Sequence, residues 1–227
     1  MGSPVAFPAT LWTTILRAQA EDPGAWNRFV ARYRPPVVAF LGQRGFSPED
    51  SEDLAQEVFQ RFLEKEILLR ADRAKGRLRS LVLGVTQNVI REWRRAGAAE
   101  KRGAGVRPVS GDEAAWDRLM EPREDPEFDG PWLRHLLARA LERVRRDRPR
   151  YAQVLESIVK EGLDRAEVAR RMGSSVKDVY NWFRRGCAKL IQALHQEIAE
   201  YASSENEYRE EIAYLSRYLT DARNDLG

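Results

Sequence analysis

Residues 162–190 have the sequence GLDRAEVARRMGSSVKDVYNWFRRGCAKL, and this stretch decides the fold of the second half of the chain. Asp164 followed by Glu167 is the pattern of a capping box at a helix start. Gly173 supplies a turn, and Ser175 is placed to cap a second helix. The apolar positions predict a core shared by both helices, formed by Val168, Met172, Val176, Val179 and Phe183. The spacing is typical of a helix-turn-helix, whose second helix enters the major groove of DNA.

The second predicted helix carries the candidate contacts to bases and phosphates. They are Lys177, Tyr180, Asn181, Arg184 and Arg185. Trp182 is unusual on such a helix, and either exposure to solvent or packing on a neighbour explains it. Periodic apolar residues predict two further helices just upstream, over residues 132–146 and 151–161.

The chain continues past this domain as an acidic helical extension, residues 195–227, with eight acids against three arginines. The upstream helix is expected to run on to Tyr201. Tyr208, Ile212, Leu215 and Leu219 then mark a last amphipathic helix. Three roles stay open for this extension: it caps the second domain, binds the first one, or binds a partner.

In the first half of the chain, residues 47–95 change from acidic to basic. Ser47 is a suitable helix N-cap, and Pro48 suits the first helical position. Asp53, Gln56, Glu57 and Gln60 recur at i, i+3, i+4 and i+7, so they share one face of this helix. That face is either an acidic docking strip for another protein or an ordinary solvated surface, and periodicity leaves both interpretations open.

A second helix of this half begins near Gly76 and is basic. Its apolar stripe contains Leu78, Leu81, Val82, Val85, Val89 and Trp93. Its polar candidates are Gln87, Arg91, Arg94 and Arg95 on the opposite side, flanked by Arg77, Arg79 and Asn88. Amides and guanidinium groups beside an aromatic ring are suited to bind phosphates and unpaired bases. The alternative is a basic solvated face with Trp93 in the core.

The remaining segments set the domain limits of an all-α chain. A short helix is expected over residues 11–19, and Pro35-Pro36 predicts a kink or an end in the helix that follows. Residues 96–131 are rich in Gly, Pro and small side chains, which indicates a flexible linker. We therefore expect an N-terminal domain at 1–95, a linker at 96–131, a helix-turn-helix domain at 132–194 and the extension at 195–227.

Composition argues against several classes of protein. The single cysteine, Cys187, excludes an internal disulfide and disfavours a cysteine-based zinc site, and the two histidines have no metal-ligand spacing. We expect no metal, no cofactor, no secretory signal, no membrane insertion and a cytoplasmic location. A phosphate-binding glycine loop and a nucleophile elbow are both missing, so an enzyme is not expected. Ten basic residues against two acids over 73–107, and seven against two over 165–189, suggest two nucleic-acid contacts.

Together these segments resemble bacterial RNA polymerase sigma factors of the extracytoplasmic-function (ECF) group. GFSPEDSEDLAQEVFQRFLEK, residues 45–65, is similar to their polymerase-binding helix. RLRSLVLGVTQNVIREWRR, residues 77–95, is similar to the segment that melts the −10 promoter element, and residues 161–190 are similar to the −35-binding domain. The two ends of the chain resemble a subgroup with a C-terminal extension. Trp182, Cys187 and Ser174 depart from the usual pattern.

The resemblance implies partners and roles for individual residues. The polymerase β′ clamp helices would bind Asp50, Glu52, Asp53, Gln56 and Glu57. The −10 element would contact Arg77, Arg79, Gln87, Asn88, Arg91, Trp93, Arg94 and Arg95. The −35 element would contact Ser175, Lys177, Tyr180, Asn181, Arg184 and Arg185.

The resemblance further implies contacts with the polymerase β subunit, a monomeric state on the polymerase and regulation by an anti-sigma factor or another regulator. The acidic half of the linker, residues 112–129, would lie in polymerase channels meant for RNA. The function expected is that of an initiation factor that directs core polymerase to promoters and helps to melt the −10 element. A helix-turn-helix regulator that acts without polymerase is the alternative.

Overall fold

The computed structural model describes residues 23–64, 67, 78–100, 125–202 and 204–224. These residues form α-helices and one π-helical turn without any strand, which confirms the all-α class. The α-helices are α1 (Pro23–Gln43), α2 (Pro48–Glu64), α3 (Leu78–Glu100), α4 (Pro126–Asp147), α5 (Pro149–Leu155), α6 (Arg165–Met172), α7 (Val176–Ala199) and α8 (Glu205–Asn224). The expected helix over 11–19, Arg77, and linker residues 101–124 lie outside the described part of the chain.

Two compact units divide the chain. The first comprises Met1–Trp132 with Tyr201–Glu207, and the second comprises Leu133–Glu200 with Tyr208–Gly227. Among the described helices, none is both long enough and apolar enough to cross a membrane. Helix α3 continues to Glu100 and α4 already begins at Pro126, so helical structure extends into both ends of the segment predicted as a linker.

The first unit is built around aromatic side chains of α1 and α2. The Phe29 ring lies at the centre, with ring centroids 5.0 Å from Tyr33, 5.7 Å from Phe59 and 5.3 Å from Phe62. The Tyr33 ring also stacks on Trp132 at 4.9 Å. Buried aliphatic residues of α3, from Leu78 to Ile90, complete this core. Each ring removes a large apolar area from water, which is the main stabilising contribution.

Helix α1 runs unbroken through Pro35 and Pro36, so it does not end where the two prolines predict an end or a kink. Each proline removes one backbone donor and crowds the preceding turn. Tyr33 and Val37, which flank the pair, are both fully buried in the core. Tertiary packing of the flanking side chains therefore outweighs the local cost of the prolines.

In the second unit, α6, a turn at Gly173 and α7 follow one another in the order that the sequence predicts for a helix-turn-helix. Asp164 and Glu167 make the capping box: the Glu167 N–H donates to Asp164 Oδ1 at 2.8 Å, and the Asp164 N–H donates to Glu167 Oε2 at 3.0 Å. Gly173 ends α6 with a φ of 60°, in the left-handed region that favours glycine. Val168, Ala169 and Val179 form the shared core with Val154 of α5. Val176 was expected there, but it is 49% exposed.

Helix α7 extends beyond the expected limit of the helix-turn-helix domain, and its last turns belong to the second unit. The Glu197 carboxylate is buried and forms ion pairs with Arg139 and Arg143 of α4. Gly186 of α7 lies against α5, where an added Cβ would lie 3.2 Å from Leu155 Cγ. The start of the predicted extension is thus an integral part of this unit.

The segment after α7 belongs to the first unit. Tyr201 is 2% exposed, and its ring meets the Trp132 ring edge to face with a centroid distance of 5.4 Å. The Arg32 guanidinium lies 5.8 Å from the centroid of the Tyr201 ring. Tyr201 is therefore a core residue of the first unit, although its place in the sequence follows the helix-turn-helix.

Candidate nucleic-acid and protein interfaces

The acidic residues of α2 form one face of this helix, as expected. Ser47 caps the helix, because the Asp50 N–H donates to Ser47 Oγ at 3.1 Å. Glu52, Asp53 and Gln56 are exposed, whereas Asp50 and Glu57 are half-buried. Glu52 pairs with Arg34 of α1. Within the described residues, Asp53 forms no ion pair, so its carboxylate is available to another molecule.

Glu57 pairs with Arg61, which lies one turn further along α2. Arg61 Nη2 lies 2.7 Å from Glu57 Oε1 and 2.8 Å from Glu92 Oε2, so one guanidinium connects α2 to α3. Burial alone lowers the pKa of Arg61, but the hydrogen bonds and charges of Glu92 and Glu57 outweigh it and raise this pKa. Asp53 is accordingly the cleaner test of docking, because replacing Glu57 also removes a contact between helices.

An apolar groove of about 330 Å³ borders the acidic face. Trp26 and Val30 of α1 line one side, and Phe59 and Leu63 of α2 line the other. Gln56 lies at the edge of this groove, and Leu63 remains 46% exposed. This face of α2 therefore combines exposed carboxylates with a neighbouring apolar surface.

The exposed side of α3 presents Trp93 together with three arginines. Arg91, Arg94 and Arg95 are exposed, and Trp93 is 47% exposed rather than part of the core. The Trp93 ring meets Phe46 edge to face at 5.1 Å, and the Arg94 guanidinium lies 5.8 Å from the same ring. Phe46, which precedes the α2 cap, thus supports both groups, and periodicity within α3 could not identify it.

Asn88 lies half-buried beside these groups. Its side-chain amide donates to Glu92 at 2.9 Å, and Arg91 Nη2 donates to the Asn88 carbonyl at 3.3 Å. The polar surface of α3 is therefore held by contacts along the helix, which limits the rotamers of Asn88 and Arg91.

Arg79 differs from the other predicted −10 residues because the structure places it in the core. Arg79 is 1% exposed, and its guanidinium pairs with Asp129, which is fully buried. In this arrangement Arg79 is inaccessible to DNA and joins α3 to the start of α4. The two residues are 50 positions apart in the sequence, and the pairing leaves no local signal.

Gln87 lies near the same end of α4. Gln87 Nε2 donates to Asp125 Oδ2 at 3.1 Å, and Arg44 Nη2 donates to the same oxygen at 2.9 Å. Arg44 follows α1 and was not among the predicted site residues. Asp125 lies at the acidic end of the predicted linker, so this end contacts the first unit.

The second helix of the helix-turn-helix exposes nearly all of its predicted contacts. Ser175, Lys177, Tyr180, Arg184 and Arg185 are exposed, and Asn181 is half-buried. Ser175 also caps α7, because the Asp178 N–H donates to its Oγ at 3.1 Å. The Arg165 guanidinium lies 5.6 Å from the Tyr180 ring centroid and 5.8 Å from that of Phe183. Arg165 therefore supports the exposed Tyr180 ring.

Trp182 and Cys187 lie on the inner side of α7. Trp182 packs against the helix-turn-helix core, and the Arg150 guanidinium lies 4.8 Å from its ring centroid. Cys187 is half-buried, and desolvation raises the pKa of its thiol, so the thiol stays protonated at neutral pH. Trp182 is therefore a packing residue of this unit.

Two helical units with a helix-turn-helix and exposed basic faces define an all-α DNA-binding protein. Residues 37–197 match the family model described as ECF sigma factor. The match spans most of the chain and includes α2, α3 and the helix-turn-helix, so the chain belongs to the ECF sigma factor family and acts in transcription initiation. No curated protein shows significant similarity to the chain.

Proposed function

We propose that the chain binds core RNA polymerase through the acidic face of α2 and brings it to promoters that α3 and α7 contact. The observation that carries this proposal is the exposure of Asp53 and its neighbours on α2 within the region matched by the family model. Exposed carboxylates beside an apolar groove suit a partner helix that offers both basic and apolar side chains. The β′ clamp helices of the polymerase are the proposed partner.

The −10 element is the proposed ligand of the exposed side of α3. Trp93, supported by Phe46, offers a ring on which an unpaired base can stack, and Arg91, Arg94 and Arg95 supply positive charge for the phosphates. Gln87 and Asn88 contribute amide groups on the same helix. Arg79 is excluded from the proposed −10 contacts because it is buried with Asp129.

The −35 element is the proposed ligand of α7. The exposed residues at its N-terminal end are Ser175, Lys177 and Tyr180, and Arg184 and Arg185 follow at helical spacing. Such a helix fits the major groove, where side chains reach base edges and phosphates at the same time.

Docking is tested by reversing one charge. Asp53→Arg should weaken the affinity for core polymerase at least about tenfold. The substitution places a positive charge against the basic surface of the partner, and such like-charge repulsion costs more than about 1.4 kcal/mol. Asp147→Arg is the matched control, since Asp147 is an exposed acid at the end of α4 in the second unit. A titration with labelled core enzyme measures both. Equal affinities for the two variants would refute the docking surface.

Run-off transcription separates this function from that of a regulator that acts alone. Core polymerase with the chain should give products on a promoter library that core enzyme alone does not give. Strong duplex binding by the free chain at symmetric half-sites, without such products, would instead support the regulator.

A further inference from the structure

Two carboxylates at the start of α4 contact a polar and basic part of the first unit. Asp125 Oδ1 accepts the Glu127 N–H at 3.0 Å and so caps the helix. Its Oδ2 accepts from both Arg44 Nη2 and Gln87 Nε2, at 2.9 and 3.1 Å. Glu127 Oε2 lies 2.6 Å from Arg44 Nε. One guanidinium edge therefore faces two carboxylates.

Arg44 is held in a fixed position by the turn after α1. The backbone N–H of Arg44 donates to the carbonyls of Phe40 and Leu41, each at 3.0 Å. Its guanidinium lies 4.9 Å from the centroid of the Phe40 ring, and Gly45 continues the turn with a φ of 86°. A planar guanidinium that presents Nε and Nη2 on one side has the geometry that binds two oxygens of a phosphate.

Gln87 connects this position to the exposed basic side of α3. Residues 87, 91 and 94 are spaced by four and three positions, so Gln87, Arg91 and Arg94 follow one another along the same face of the helix. A chain of phosphates that contacts Arg94 and Arg91 would reach Gln87 and then Arg44. The charge on Arg44 thus extends the proposed −10 surface by one contact.

We infer that Arg44 and Gln87 bind a backbone phosphate of promoter DNA, and that the carboxylates of Asp125 and Glu127 occupy this position while DNA is absent. The inference rests on the proposed DNA contact of α3. It adds a phosphate-binding site at Arg44 and Gln87, and it makes the two carboxylates competitors of DNA for that site.

Exposure distinguishes the competitor from a structural contact. Glu127 is 59% exposed and the Arg44 side chain is 33% exposed, so a phosphate can approach the guanidinium from the side of Glu127, whereas Asp125 is only 16% exposed. An ion pair with an exposed partner, such as Arg44–Glu127, contributes little net stability, which lets a phosphate replace the Glu127 carboxylate. The Arg79–Asp129 pair one turn further along α4 is fully buried, so it holds this segment of α4 in place while Asp125 and Glu127 exchange.

The test uses the full chain, a fluorescent forked DNA duplex and a series of potassium chloride concentrations. Asp125→Asn combined with Glu127→Gln removes both negative charges and keeps a residue that can cap α4. The neutralised chain should bind the DNA roughly three- to tenfold more tightly than the original chain. Adding Arg44→Ala should abolish that gain and lower the slope of log K against log salt by about 0.9, the value of one phosphate on duplex DNA.

The matched control changes the net charge by the same amount at another arginine. Glu142 and Glu156 both pair with Arg145 in the second unit, so Glu142→Gln with Glu156→Gln removes two carboxylates from one guanidinium. The gain in DNA affinity of this control should be several-fold smaller than that of the chain with Asp125→Asn and Glu127→Gln. Circular dichroism of each variant verifies folding.

The inference is overturned if the neutralised chain binds DNA no better than its control, or if Arg44→Ala leaves affinity and salt slope unchanged in the neutralised background. Run-off transcription is measured separately on the original chain. Failure of transcription counts against the proposed function, whereas failure of the DNA titration counts against the phosphate site alone.

Discussion

The two helices proposed to contact promoter DNA, α3 and α7, differ in what their polar groups do inside the protein. On α3, Arg79 is buried with Asp129, Gln87 contacts Asp125, and Trp93 packs on Phe46. On α7, Lys177, Arg184 and Arg185 are exposed, with no ion-pair partner in the part of the chain that the structure describes. Polar groups of α3 are thus bound to distant segments of the chain, whereas these three cations of α7 form no ion pair within the described residues.

This difference determines what a substitution changes. A residue of α3 that is paired within the first unit contributes to stability, and its replacement alters the fold before it alters DNA binding. An exposed residue of α7 contributes little to stability, and its replacement changes binding directly. The following predictions test this division, beginning with the largest effect.

Asp129→Ala should lower the free energy of unfolding of the first unit by about 3–5 kcal/mol, because it removes the buried carboxylate that is paired with the buried Arg79 guanidinium. Urea denaturation measures the change, and hydrogen exchange of α3 localises it to the first unit. Arg79→Leu with Asp129→Leu, which removes both charges, should recover part of the loss. A change below about 1 kcal/mol in Asp129→Ala would show that the pair is not a determinant of the fold.

The second prediction concerns the opposite case on α7. Arg184→Ala should leave stability within about 0.5 kcal/mol of the original chain, since the side chain is exposed. It should weaken promoter binding by holoenzyme by about 1–3 kcal/mol if the residue contacts a base, and uniformly across sequences if it contacts a phosphate.

Lys160→Ala is the matched control for Arg184→Ala, because Lys160 is an exposed cation of the same unit outside α7. Promoter titrations at several salt concentrations compare the two variants. An affinity loss in Lys160→Ala equal to that in Arg184→Ala would indicate a general charge effect and count against the α7 surface.

The same contrast explains what the sequence could predict. The caps at Ser47, Asp164 and Ser175 depend on residues three positions away, and the structure has all of them. The helix-turn-helix and its turn at Gly173 follow from such local signals. Periodicity also located the buried faces of α2 and α3, because an amphipathic helix must cover its apolar side.

The contacts that sequence reasoning missed join segments far apart in the chain. The partner of Arg79 lies 50 residues away, and Asp125 lies 81 residues from Arg44. Periodicity places a side chain on a face of a helix but does not say which segment will cover that face. The break expected at Pro35 and Pro36 failed for a related reason, since packing of Tyr33 and Val37 decided the outcome.

The smallest predicted effect separates two roles of one residue on α7. Ser175 caps the helix and is also a proposed −35 contact. Ser175→Ala should destabilise α7 by about 1 kcal/mol, whereas Ser175→Asp should restore the cap, because aspartate is an equally good N-cap residue. Hydrogen exchange of the α7 amides measures the first effect, and a promoter titration measures DNA binding.

If Ser175 lies close to a phosphate, Ser175→Asp should bind promoter DNA more weakly than Ser175→Ala despite its greater stability, since a carboxylate repels the DNA backbone. Promoter affinity that follows stability in both variants would mean that Ser175 acts only as a cap. In that case the −35 surface would begin at Lys177, and the exposed residues from Lys177 to Arg185, about two helical turns, would bind the DNA without Ser175. The contrast between these exposed residues and the paired residues of α3 would then become sharper.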